Sequence, residues 1–221
     1  MAIGKYDNQS QHQAVETTLD LLDAVTENPS MSQRGLADRL GVALGLTNAV
    51  IKRCVKKGLL KVRQVPARRF AYFLTPQGFA EKSRLTAEYL KYSLTFYREA
   101  RQEYTEIFNY CATRGWTRVA LVGATELAEI ASLALPQGKI EIVGVLDPGR
   151  NEEAFCDFTI YQSLNDVEPA CRPHAVIITD ITDPQGIYDS LLQTLPSEQV
   201  LAPRLMRVTT RPPELDIDGQ N

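Results

Sequence analysis

The chain has 221 residues, 44% of them apolar and 23% charged, with a formal net charge of −3. That length admits one or two domains, and the composition is that of a soluble globular protein. It leaves out a membrane helix, because no run approaches the ~18 apolar residues of a span, and it leaves out a secretory leader, because residues 1–28 contain no apolar core stretch. The four cysteines, Cys54, Cys111, Cys156 and Cys171, form no CxxC pair, and the histidines are His12 and His174 alone. Reduced thiols, no structural zinc and a cytoplasmic setting are therefore expected.

The overall charge hides a division. Residues 1–115 carry 17 Lys and Arg against 11 Asp and Glu, a net of +6; residues 116–221 carry 7 against 16, a net of −9. Halves of opposite sign point to two domains with different partners. Within the basic half, no acidic residue falls between Arg39 and Ala80, while Lys52, Arg53, Lys56, Lys57, Lys61, Arg63, Arg68 and Arg69 do. A stretch of one sign suits the approach to a polyanion such as duplex DNA.

The elements of that half follow in order. Val15, Leu19, Leu22 and Val25 mark one face of a first helix, Gln11–Thr26. Ser32 caps a short second helix, Gln33–Leu40, and Gly41 supplies the turn. A third helix runs from about Leu44 to Lys57 and stops at Gly58. Its apolar face is read as Leu46, Val50, Cys54 and Ile51, and its polar face as Thr47, Asn48, Lys52, Arg53, Lys56 and Lys57. The period then changes to that of strands, 59–63 and 70–74, around a tip that holds Arg68 and Arg69. Thr75 and Pro76 open another helix. Helix, turn, helix and hairpin make a winged helix, which places the third helix in the major groove. Thr47 and Asn48 then face base edges, Lys52, Arg53 and Lys56 face phosphates, and Arg68 and Arg69 reach a flanking phosphate or minor groove. The alternative is a winged helix used only for protein contacts.

The run Ser32–Gly41, the segment Asn48–Arg53, Lys57-Gly58-Leu59 and the run Tyr72–Gly78 resemble MarR-type winged-helix regulators over residues 12–100, and within them the subgroup associated with exopolysaccharide gene clusters. The resemblance implies that Thr47, Asn48, Lys52 and Arg53 lie on the recognition helix, and the expected DNA-binding set is Gln33, Arg34, Gly45, Thr47, Asn48, Lys52, Arg53, Lys56, Arg68 and Arg69. It also implies polysaccharide genes as targets. Gly45 stands where the family has Ser or Thr.

From Phe79 to Arg114 there is neither proline nor glycine, which predicts one long helix or two in tandem. Leu90, Leu94, Tyr97, Arg101, Tyr104, Phe108 and Cys111 step by four and three alternately, a heptad seam with one polar interruption. A homodimer interface through Leu90, Leu94, Tyr97, Tyr104 and Phe108 is expected, as two-fold operators require, with Arg101 pairing across it to Glu103 or Glu106. Packing of the stripe on its own domain is the alternative.

The acidic half reads as a small Rossmann-like unit. Strand 118–123, helix 125–135 and strand 140–147 form a βαβ unit; strand 175–180, helix 186–195 and a closing strand 199–205 follow. Gly123 ends the first strand and Asp147 the second, 24 residues on, in the place of a ribose-binding acid. The pattern resembles nucleoside-diphosphate-sugar-type Rossmann domains over 117–180, and a ligand site is expected across the strand ends at Gly123, Ala124, Thr125, Asp147 and Asp180. Glu126 sits where a phosphate would lie, so a phosphate-poor ligand fits better than a tightly bound dinucleotide. No nucleophile, base and acid come together in the pattern, and no enzymatic activity is expected.

These readings combine into an α/β two-domain protein: a winged helix-turn-helix at 10–78, connecting and dimerisation helices at 79–115, a small Rossmann-like parallel sheet at 116–207 and a flexible tail at 208–221. The expected function is a sequence-specific, dimeric, DNA-binding transcription regulator with a nucleotide or nucleotide-sugar effector, or an assembly role, for its second domain. Three alternatives stand beside it: a Rex-like regulator responsive to NAD(H), a sugar-nucleotide enzyme with an accessory DNA-binding domain, and an assembly factor whose winged helix contacts protein.

Overall fold

A computed structural model describes residues 3–65 and 69–209. The chain divides into two compact units, Met1–Thr95 and Phe96–Asn221.

The first unit holds α1 (Ile3–Glu27), α2 (Gln33–Leu40), α3 (Leu44–Lys56), the antiparallel pair β1 (Leu60–Val65) and β2 (Arg69–Leu74), and the beginning of α4 (Pro76–Thr113). Local chemistry sets these bounds. The Ser32 hydroxyl accepts from the Gly35 amide to start α2, and Gly41, at φ 62°, ends it in the left-handed region that glycine adopts without strain. The Thr75 hydroxyl accepts from the Gly78 amide and donates to the Gly58 carbonyl, which fixes the start of α4 beside the end of α3. Only a glycine fits at 78, because a Cβ there would lie 2.2 Å from the Leu59 carbonyl oxygen. The core joins Leu19, Leu21, Leu22 and Val25 of α1 to Leu36, Val50, Ile51, Cys54, Tyr72 and Leu85.

The second unit is built on a six-stranded sheet. Its elements are β3 (Arg118–Val122), α5 (Glu126–Leu133), β4 (Glu141–Leu146), the short pair β5 (Ala154–Phe155) and β6 (Phe158–Tyr161), β7 (Ala175–Ile178), α6 (Pro184–Leu191) and β8 (Val200–Leu201). The strand order is β5-β6-β4-β3-β7-β8, parallel throughout except for β5 at one edge. Both faces are covered, so β3 is apolar at every position from 119 to 122. Val119 and Leu121 face Leu127 and Ala131 of α5 and the end of α4. Ala120 and Val122 face Val167 and Tyr188. The chain runs outward from β3 through β4 to β6, then returns to β7 on the other side. This makes the β3–β7 gap the switch point, the place where ligands sit in open α/β sheets.

The expected seam along α4 splits in two. Leu90 and Leu94 are 53% and 52% exposed and Tyr97 is half-buried, whereas Tyr104, Phe108 and Cys111 are fully buried in the second unit's own core. The register does not change, since 90, 97, 104 and 111 lie seven apart, as do 94, 101 and 108; what changes is that only the later part of the stripe is covered. The buried stripe begins at Ala100, one residue before the exposed Arg101, and continues through 104, 108 and 111. Tyr104 and Phe108 therefore leave the proposed dimer face. The Tyr104 hydroxyl donates to the Ile178 carbonyl at 3.2 Å, and burial pushes its pKa well up. Glu106 pairs with Arg204 at 2.6 Å, and Glu103 accepts from the Leu205 amide; both expected partners for Arg101 are engaged within the chain.

Candidate DNA-binding face and strand-end cavity

The buried face of α3 is Thr47, Val50, Ile51 and Cys54, spaced three, one and three residues apart. This corrects the expected phase: Leu46 lies outside at 50% exposure, and Thr47 lies fully inside. The Thr47 hydroxyl donates to the Ala43 carbonyl at 3.3 Å, so it serves the helix start and cannot face base edges. Burial pushes the Cys54 thiol up, as suits a core side chain.

Lys52 and Lys56 are exposed on α3 and make no ion pair among the described residues. Together with Gln33, Ile51, Val55, Val62, Phe70 and Tyr72 they line a groove of about 380 Å³ between α3 and the hairpin. Arg53 lies to one side. Its guanidinium donates to the Thr18 hydroxyl of α1 at 3.0 Å, and it borders a hollow with Lys57, Glu81 and Arg84 rather than the groove. Gln33 donates to the Tyr72 hydroxyl at 2.9 Å, which ties α2 to the hairpin. Arg34 and Gly45 are exposed, and no atom stands within 4 Å of where a Gly45 side chain would begin. Asn48 is half-buried with its Oδ1 enclosed and without a partner among the described residues. Arg68 lies outside the described residues, as does the side chain of Arg69.

A cavity of about 860 Å³ opens at the carboxyl ends of β3, β4 and β7. Gly123, Asp147 and Asp180 line it together, as the sequence pattern expects. Ala124 and Thr125 do not. Ala124 is buried, and the Thr125 hydroxyl caps α5 by accepting from the Leu127 amide while donating to the Thr179 carbonyl at 2.6 Å. The first two amides of the turn after β3 are also taken from within. The Gly123 amide donates to the Leu146 carbonyl at 2.9 Å, and the Ala124 amide donates to the Asp147 carboxylate at 3.0 Å. The other oxygen of Asp147 accepts from the Gly149 amide. Gly123 sits at φ 100°, and a Cβ there would come within 2.5 Å of the Asp180 side chain. Asp180 accepts from the amide and hydroxyl of Thr182. The rest of the wall comes from segments that carried no motif: Gln162, Ser163 and Asn165 after β6, Arg172 before β7, and Asp183, Ile187 and Leu191 of α6 and its cap.

The family of winged helix-turn-helix DNA-binding domains matches residues 16–61, which span α1 to the start of β1. The first unit thus carries a winged helix-turn-helix DNA-binding domain. No curated protein matches the chain. Among solved structures, the PcaV transcriptional regulator of Streptomyces coelicolor is 22% identical, covering 42% of this chain and 74% of its own, with a TM-score of 0.36. MepR, a regulator of a multidrug efflux pump of Staphylococcus aureus, is 14% identical, covering 43% of this chain and 82% of its own, with a TM-score of 0.32. Human N-acetylserotonin methyltransferase, solved with SAM, is 14% identical over 90% of this chain and 64% of its own, with a TM-score of 0.30.

Two expectations are corrected by these findings. The expected likeness to a nucleotide-sugar Rossmann domain is not what the comparisons return; the structures that align over most of the chain are methyltransferases. The expectation that the chain is not an enzyme is withdrawn on the same finding, since methyltransferases solved with SAM align over 87–90% of it. At TM-scores of 0.24–0.36 the likenesses themselves assign no activity, ligand or partner to this chain. Among the described residues no helix is long and apolar enough to cross a membrane.

Proposed function

We propose that this chain is a cytoplasmic, homodimeric transcription regulator whose first unit binds duplex DNA through α3 and the hairpin, and whose second unit holds a small metabolite in the strand-end cavity. The observation that carries the reading is the exposed pair Lys52 and Lys56 on α3, without ion pairs among the described residues and within an acid-free stretch of a winged helix-turn-helix domain. Lysines held away from carboxylates are free to replace the counterions of phosphates. The test is a fluorescence-anisotropy titration of a random duplex of about four helical turns, from roughly 50 to 200 mM salt. The reading requires affinity that falls linearly with log salt; affinity independent of salt, or no binding at the lowest salt, sinks it.

The dimer rests on Leu90 and Leu94, which stand more than half exposed on one face of α4. A glutamate at Leu94 disturbs no packing within the protomer but places a bare charge in such an interface, so sedimentation of Leu94→Glu should show a folded monomer. Polysaccharide genes as targets rest on the sequence resemblance alone.

For the metabolite, the occupied amides of Gly123 and Ala124 argue for a ligand that brings no phosphate to that turn. The same bonds weigh against the NAD(H)-responsive alternative and against nucleotide sugars. A thermal-shift panel of nucleotide sugars, NAD(H), CoA, cyclic nucleotides and SAM tests this, since a ligand at ~100 times its Kd adds about 2.7 kcal/mol. The strongest shift from a diphosphate would reverse the reading.

A further inference from the structure

The DNA-binding reading leaves open what α3 reads, and the following rests on that reading. The first two turns of a recognition helix are the part that meets base edges. In this chain those turns offer almost no hydrogen-bonding side chain. Gly45 and Ala49 have none to offer. Thr47 is buried, with its hydroxyl given to the Ala43 carbonyl. Asn48 is half-buried with its Oδ1 enclosed, whereas the two-bond contact to adenine needs both ends of the amide exposed. What the tip does expose is apolar: Leu44 at 41%, Leu46 at 50%, and Ala49 one turn beyond Leu46. None of the three joins the unit's core cluster.

The major-groove floor presents one apolar group, the 5-methyl of thymine, beside the hydrogen-bonding edges of all four pairs. An apolar tip flanked by Lys52 and Lys56 on the following turns matches a surface of methyl groups bordered by phosphates. We propose that α3 recognises its site through contact of Leu46 and Ala49 with thymine 5-methyl groups, while the lysines hold the backbone and supply no sequence preference.

The experiment uses the full chain. A binding site is selected from a random duplex library spanning about two helical turns, and its thymines are then replaced one at a time by deoxyuridine, which removes the methyl and keeps the pairing and the O4 acceptor. At one or two positions per half-site, deoxyuridine should weaken binding about four-fold, the equivalent of ~0.8 kcal/mol for a buried methyl-sized group. Leu46→Ala, a change at a half-exposed position, should erase that ratio at one position and leave the salt dependence as in the parent. Three results overturn the proposal: a selection that enriches no sequence, deoxyuridine sites bound as well as thymine sites, or a Leu46→Ala protein that keeps the full ratio. All three occur on a protein that still binds duplex DNA. A protein that binds no duplex at low salt overturns the DNA-binding reading as well.

Discussion

The chain contains two helices placed where a phosphate could come, and it treats them oppositely. On α3 the exposed face carries lysines without carboxylate partners among the described residues. At the start of α5 the amide of Ala124 is taken by Asp147, the Thr125 hydroxyl caps the helix, and Glu126 and Glu129 stand in its first turn. The first site is open to a polyanion, and the second is closed by the protein's own acid. Net charge of +6 and −9 for the two halves foreshadows the contrast, but particular bonds decide it. A Rossmann-like turn is an anion site only while its amides are free, and here the first two are taken, that of Gly123 by the Leu146 carbonyl and that of Ala124 by Asp147.

The largest effect is expected at Gly123. Valine there would be strained at φ 100° and would overlap backbone atoms of Asp180 at 2.7 Å. Together these cost about 3 kcal/mol or more. In Gly123→Val the second unit should unfold at lower denaturant while DNA affinity stays at the parent value. Loss of DNA binding in step with that unfolding would break the division between the two sites.

A smaller effect separates the lysines of α3 from its arginine. Lys52→Ala with Lys56→Ala should flatten the plot of log affinity against log salt by about one unit for each phosphate that is no longer neutralised. Arg53→Ala should flatten it less, because Arg53 is already engaged with Thr18. The reverse order would move the DNA face toward α1.

Much of this arrangement is legible in residue order, and the exceptions have physical causes. Ser32, Gly41, Gly58 and Thr75 mark the ends of the winged-helix elements because each satisfies a local backbone requirement visible in its type. The phase of α3 is harder to read. Leu46 is more apolar than Thr47, yet Thr47 is the one buried, because its spacing to Val50, Ile51 and Cys54 places it on the inner face and its hydroxyl finds a helical carbonyl. The seam on α4 looks uniform in sequence because one heptad register runs through it, and only the second unit's core, which covers Tyr104, Phe108 and Cys111, separates them from the exposed Leu90 and Leu94. The β5–β6 pair is invisible in sequence, since Cys156 and Asp157 take φ of 47° and 58° in a turn where Asn-Gly would have announced it. The cavity wall escapes for another reason: Gln162, Arg172 and Asp183 come from three segments that only the sheet order brings together.

A further change tests the closure of the second site. Asp147→Ala removes the acceptor of the Ala124 amide and should destabilise the chain by about 1–3 kcal/mol, read as a drop in Tm. The same variant should gain a stabilisation by NADH or inorganic phosphate that the parent lacks. A variant as stable as the parent, and still indifferent to phosphate, would mean that Asp147 does not close the turn.

The most direct measurement of the contrast is amide hydrogen exchange of the full chain with and without duplex DNA. Slowed exchange is predicted across residues 44–56 and the β1–β2 hairpin, with no change at 123–128 or 147–150. Protection centred on the turn after β3, or none at α3, would contradict the account.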